Sequence, residues 1–204
     1  MSTEDSFQLL RHPNPHLRHQ AMWQLAEDPD ADTISRLMAA LSEEDTNYRR
    51  AAVKTLGAIG HQTVPDLVAA MLNSDDVTVR GSATKALAQV AVNYPEAPFP
   101  QDGVQGLKAA LGDDNPVVHI AAVMALGQIG SPVVDILIEA LQETDNPALA
   151  MSIVSTLVSI EDERGIAALQ TVVADESTDD YVRESATSAL SRLEMTTQLQ
   201  QGKA

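Results

Sequence analysis

A short string recurs six times along this chain, and no other feature constrains its fold as much. Each copy holds a capping residue, an apolar residue, a column usually filled by arginine, then alanine and leucine at fixed offsets. The arginine column reads Arg18, Arg49, Arg80, His119, Ala150 and Arg183. Four residues upstream stand Asn14, Asp45, Asp76, Asn115, Asn146 and Asp179. Three residues downstream stand Ala21, Ala52, Ala83, Ala122, Ile153 and Ala186, and seven downstream Leu25, Leu56, Leu87, Leu126, Leu157 and Leu190. A period of roughly thirty residues predicts stacked supersecondary units, none of which buries its apolar face without a neighbour. The expected fold is all-α, a right-handed α-solenoid of about six helix pairs.

Each string reads as the start of a helix. Asn or Asp accepts hydrogen bonds from the free N–H groups of the first turn. Proline follows the cap at Pro15, Pro116 and Pro147, where its missing donor does no harm. The apolar residue before the arginine column and the offsets +3, +7 and +10 share one helical face. The +10 column holds Ile59, Val90, Ile129, Ile160 and Leu193, and only the first unit departs, with Asp28. Gly60 and Gly130 are placed to end two of these helices. Shorter amphipathic segments lie between, such as Ile34, Leu37, Met38 and Leu41.

The spacing breaks once. Arg18, Arg49 and Arg80 are 31 apart, but His119 follows 39 residues after Arg80. The extra residues form a proline-rich loop over 92–103, which carries Tyr94 and Phe99. Three prolines there exclude a regular helix. The two rings can anchor a partner from this loop, or fold back over the edge of the array. Residues 1–195 are expected to form a single array with this insertion, and 196–204 a flexible tail.

Composition narrows the functional classes. The formal net charge is −16, which opposes nucleic acid and anionic membranes. With no cysteine, the chain has neither disulfides nor thiolate chemistry. No stretch approaches the ~20 apolar residues of a membrane span. The N-terminus is polar and acidic, unlike a signal peptide, so the expected location is cytoplasmic, without membrane insertion. No Gly-rich phosphate loop, nucleophile elbow or zinc-binding helix motif occurs. His12, His16 and His19 cluster in sequence, but lack a further ligand in register, so no metal is expected.

Asp45–Gly60, DTNYRRAAVKTLGAIG, and Asn115–Gly130, NPVVHIAAVMALGQIG, carry the fullest form of the string. It resembles HEAT repeats and, more narrowly, the short HEAT-like repeats of cyanobacterial phycobilin lyases. That family includes enzymes attaching open-chain tetrapyrroles to phycobiliprotein cysteines, relatives in phycobilisome turnover, and relatives contacting an A-type iron–sulfur carrier. The resemblance implies that arginine-bearing helices line a concave groove, their arginines pairing with the capping aspartate of a neighbouring unit. His119 and Ala150 depart from that ladder.

On such helices the offsets +1 and +5 face the groove. They yield Trp23, then the basic Arg50, Lys54 and Lys85, then the apolar Ile120, Met124 and Met151. The basic section suits acidic residues or tetrapyrrole propionates, and its bland counterpart is a solvated helix face. The apolar section suits an adaptable contact or ordinary core. Trp23 is placed either as a groove hot spot or packed against Phe7. Gly81 is expected to open space between the two sections.

The resemblance implies a non-catalytic scaffold or chaperone, holding a phycobiliprotein or an iron–sulfur carrier, with no nucleic-acid partner. The alternative it implies is a bilin lyase or isomerase working with a partner subunit. No catalytic residues are assigned. No tightly bound cofactor is expected, at most a phycobilin in transit.

Overall fold

The computed structural model describes residues 2–201, whose regular structure is helical, without a strand among the described residues. They fall into two compact units, one up to Ile129 and one from Gly130 onward.

The first unit holds four helix pairs. These are α1 (Thr3–Leu10) with α2 (Pro15–Glu27), α3 (Ala31–Ala39) with α4 (Thr46–Ile59), α5 (Val64–Asn73) with α6 (Val77–Asn93), and α7 (Gln101–Ala110) with α8 (Pro116–Ile129). The second members form one layer, α2 on α4, α4 on α6 and α6 on α8. The second unit holds α9 (Val134–Glu143) with α10 (Pro147–Ile160) and α11 (Glu163–Ala174) with α12 (Asp180–Gln201), α10 packing on α12. Residues 196–201, expected as a tail, continue α12 as helix, and 202–204 lie outside the described residues. Among the described residues, no helix is long and apolar enough to cross a membrane.

The recurring string builds these helices as its chemistry requires. All six Asn/Asp caps accept from the backbone N–H two residues on, as Asp76 does from Thr78 at 2.7 Å. Ala21, Ala52, Ala83 and Ala122 are wholly buried, as are Leu56, Leu87, Leu126 and Leu157. The small column lets neighbouring helices approach, and the leucine column fills the space between layers. The closest approach is at Gly57, where a Cβ would lie 2.2 Å from Gln89 Cβ on α6. Gly60 ends α4 at φ +91° and ψ −146°, a region open essentially to glycine alone. Asp28 breaks the +10 column because α2 has already ended at Glu27.

The arginine column acts differently from the expected ladder. Arg18 donates to the carbonyls of His12 (2.7 Å) and Pro13 (2.8 Å), six and five residues before it. Arg49 makes the same pair of contacts to Glu43 and Glu44, and Arg80 to Ser74 and Asp75. His119 keeps half of the device, its Nδ1 lying 3.1 Å from the Asp113 carbonyl. Each of these side chains thus ties down the turn ahead of its own helix, whose carbonyls lie outside the helical ladders. Among the described residues, Arg80 alone of the column reaches the next pair, through a forked contact to Asp113 at 2.8 and 3.2 Å, and Asp113 is not a cap. Burial opposes ionisation of Asp113, but the Arg80 fork and the Asn115 N–H outweigh it and hold the carboxyl below the usual range.

In the second unit Arg164 gathers the start of α11. Its guanidinium forks onto Asp162, reaches Asp135 at 2.7 Å and donates to the Ser131 carbonyl. First the guanidinium and then the Arg164 backbone N–H lower the Asp162 carboxyl to about 2, against ~3.9 for a free aspartate. A depressed folded-state pKa stabilises fully above about pH 4, and that contribution is lost as pH falls through about 2. Asp162→Asn should therefore melt below the parent at neutral pH, with the gap closing between about pH 4 and 2. Thermal melts followed by circular dichroism across that range would check it.

Candidate functional site

A cleft of about 610 Å³ opens on the exposed side of α2, α4 and α6 in the first unit. Met22, Ala51 and Val53 form its apolar floor, and Arg18, His19, Arg50, Lys54 and Lys85 its cationic and imidazole rim. No carboxylate lines it.

The sequence period explains the convergence. Arg50 and Lys54 are one turn apart on α4, and Lys85 is 31 residues beyond Lys54, at the same register on α6. Stacking brings these registers side by side, and all three side chains are exposed.

Seven arginines among the described residues are held locally. Arg11 pairs with Glu43 and lies 3.6 Å over the Tyr48 ring. Arg36 pairs with Glu4 and lies 3.8 Å over Phe7. Arg80, Arg164 and Arg183 also pair with carboxylates, while Arg18 and Arg49 hold backbone carbonyls. Arg50, Lys54 and Lys85 enter no ion pair among the described residues. On a chain of net charge −16, this cleft therefore concentrates positive potential between apolar walls, where field lines are least screened.

Trp23 sits one turn along α2 from His19, about half exposed. Its Nε1 donates to His19 Nε2 at 3.1 Å, with the rings edge to face. Arg36 covers a face of the Phe7 ring, and Trp23 borders a second depression of about 450 Å³ shared with Tyr94, Glu27 and Ala58.

Both rings of the 92–103 loop turn inward. Tyr94 donates to the Ala58 carbonyl at 2.6 Å and lies against Gly60, where a Cβ would come within 2.5 Å of the ring. Phe99 packs on Gly103, and His61 meets both rings at 5.5 and 6.2 Å. The loop itself is shorter than its sequence bounds, because α6 runs to Asn93 and α7 begins at Gln101. Phe99 is thus a half-buried brace of the α5–α7 region, and Tyr94 is the more exposed of the two, beside Trp23. Tyr94→Phe removes one part-buried hydrogen bond and should cost about 1 kcal/mol. Limited proteolysis within 94–100 should quicken accordingly.

Met124 is exposed on α8, beside half-buried Ile120, and neither lines the cleft. The space expected at Gly81 is taken by Val117 of α8, whose Cγ1 would lie 3.2 Å from a Cβ there. Met151 is exposed on α10 in the second unit. Gln89 and Asn47 line the cleft without having been singled out by the repeat columns. Gln89 lies one turn beyond Lys85, so extending the +5 column by four residues would have reached it.

Comparison with known proteins agrees with this architecture. The family model for HEAT repeats matches residues 3–88 and 104–191. "Uncharacterized phycocyanin operon protein Z" of Pseudanabaena tenuis (strain PCC 7409) is 64% identical over 195 residues, covering 96% of each chain. "Bilin biosynthesis protein CpeZ" of Synechococcus sp. (strain WH8020) is 34% identical over 174 residues, 82% of this chain and 93% of that one. Among solved structures, the complex of CpcE and CpcF of phycocyanin lyase from Nostoc sp. PCC7120 aligns at a TM-score of 0.51 and 18% identity, over 76% of this chain and 96% of the other. That likeness supports the helical-repeat fold. By its repeat model and these relatives, the chain belongs to the HEAT-repeat proteins of the phycobilin lyase family.

Proposed function

We propose that this chain is a non-catalytic HEAT-repeat chaperone of phycobiliprotein maturation that docks its client on the basic cleft of the first unit. One observation carries the reading. Three cations, Arg50, Lys54 and Lys85, which enter no ion pair among the described residues, converge in a cleft that no described carboxylate lines, on a strongly acidic chain. Such a cleft selects an acidic surface and steers it into place. The apolar floor and the nearby Trp23–Tyr94 pair supply contact area once the charges have met. The relatives are named for phycocyanin and for bilin biosynthesis. The iron–sulfur carrier gains no support from them and is set aside.

A lyase reading draws on the same family. In it the cleft cations would hold the propionates of a phycobilin while a client cysteine adds to the pigment. The side chains around the cleft include one imidazole, His19, whose Nε2 accepts from Trp23. Mixing the protein with a phycobilin and an apo-phycobiliprotein separates the two readings. The chaperone reading expects a complex on gel filtration and an unchanged rate of covalent adduct formation. A rate increase in the coloured adduct, abolished by His19→Ala, would establish the lyase.

A further inference from the structure

The arginine column has one member too small to do the column's work. Register places Ala150 on α10 where Arg18, Arg49, Arg80 and His119 each reach back to the turn ahead of their helix. The corresponding carbonyls are those of Thr144 and Asp145, six and five residues before it. Neither accepts a backbone hydrogen bond among the described residues. A cleft of about 750 Å³ opens at this place, within the second unit. Thr144, Asp145 and Ala150 form one wall, and Asp175, Ser177 and Asp179 the other. Three carboxylates and no basic residue line it, and Leu141, Val172 and Val182 supply an apolar floor.

We propose that this cleft receives an arginine side chain from a protein partner, in the position that the chain's own arginines take in other repeats. The precedent lies within the molecule. Arg80 donates from Nη1 to the Ser74 carbonyl at 3.0 Å while its Nε and Nη2 fork onto Asp113 of the next turn. In the second unit Ser177 holds the register of Asp113, with Asp175 and Asp179 on either side of it. Asp175 already accepts from Ser177 and Thr178, and Asp179 from the first turn of α12. Each keeps further lone pairs for a donor. A guanidinium has five N–H groups in a planar fork, enough to serve carbonyls on one wall and carboxylates on the other. An ammonium is a point charge with three donors and a tighter hydration shell, so it serves both walls less well. The apolar floor suits the methylene stem. The site is independent of the first unit's cleft and stands whichever ligand that cleft takes.

The test is a titration of the whole ¹⁵N-labelled chain with a blocked Gly-Arg-Gly peptide, followed by amide shifts. Its lysine and citrulline counterparts serve as comparisons. Saturable shifts at residues 144–150 and 175–182 are expected with the arginine peptide, several-fold weaker binding with lysine, and none with citrulline. Ala150→Arg should abolish the response and raise the melting temperature, because the chain then supplies its own guanidinium. Asp145→Asn combined with Asp175→Asn should weaken binding at least several-fold while leaving the helices intact. No saturable shifts, equal binding of lysine or citrulline, or undiminished binding by folded Ala150→Arg or by the double Asn variant would each overturn the proposal.

Discussion

Replacing Gly57 by alanine should destabilise the first unit by about 3 kcal/mol, the upper part of the range for overpacked cores. For a chain of this length that corresponds to a fall in Tm of roughly 6–12 °C. The atoms in the way explain the size. A Cβ there meets Gln89 Cβ at 2.2 Å and Gln89 backbone atoms at 3.1 and 3.2 Å. No rotamer of Gln89 relieves a clash with its own Cβ and backbone, so α4 and α6 must separate. Lys54 and Lys85 sit on these two helices and Gln89 lines the cleft, so client binding should weaken with stability. Gly81→Ala is the internal contrast. Its nearest obstacle is a terminal methyl of Val117, an exposed side chain. Higher helix propensity offsets that contact, and the change should stay within about 1 kcal/mol. Thermal melts of the two variants side by side measure the difference.

Reversing the charge of Arg50 and Lys54 together should weaken client binding roughly a hundredfold at low salt, mainly through slower association. Both side chains are exposed and enter no ion pair within the described residues, so the fold loses no internal contact. The double variant turns the steering field of the cleft against an acidic client, and adjacent like charges are costly at contact. Arg192→Glu on α12, exposed and outside the cleft, controls for the added negative charge of the whole chain. It should change the affinity little.

The repeat columns made the helices, caps and core legible before any coordinates, because each depends on spacing along one chain. Asn or Asp four residues before the column caps its helix in all six repeats. The basic half of the site was legible for the same reason, since Lys54 and Lys85 share a register. What a side chain does across the gap between helices was less so. The arginines hold backbone carbonyls of their own turns, and a carbonyl leaves no mark in sequence. Tyr94 and Phe99 read equally well as loop anchors or as braces, until Gly60 and Gly103 showed why the rings fit inward. Gly81 read as open space, but its missing Cβ admits Val117 from a helix 36 residues on. Trp23 and Tyr94 share a depression that neither column nor loop foretold.

The affinity of the chain for an apo-phycocyanin subunit, measured across a salt series for the parent and the Arg50→Glu/Lys54→Glu variant, tests the central claim most directly. The cleft account predicts tight binding by the parent at low salt that weakens as salt is added, as screening requires. It predicts that the variant binds weakly throughout and has lost that salt dependence. Equal affinity of the two proteins at low salt, with the same slope against salt, would contradict it.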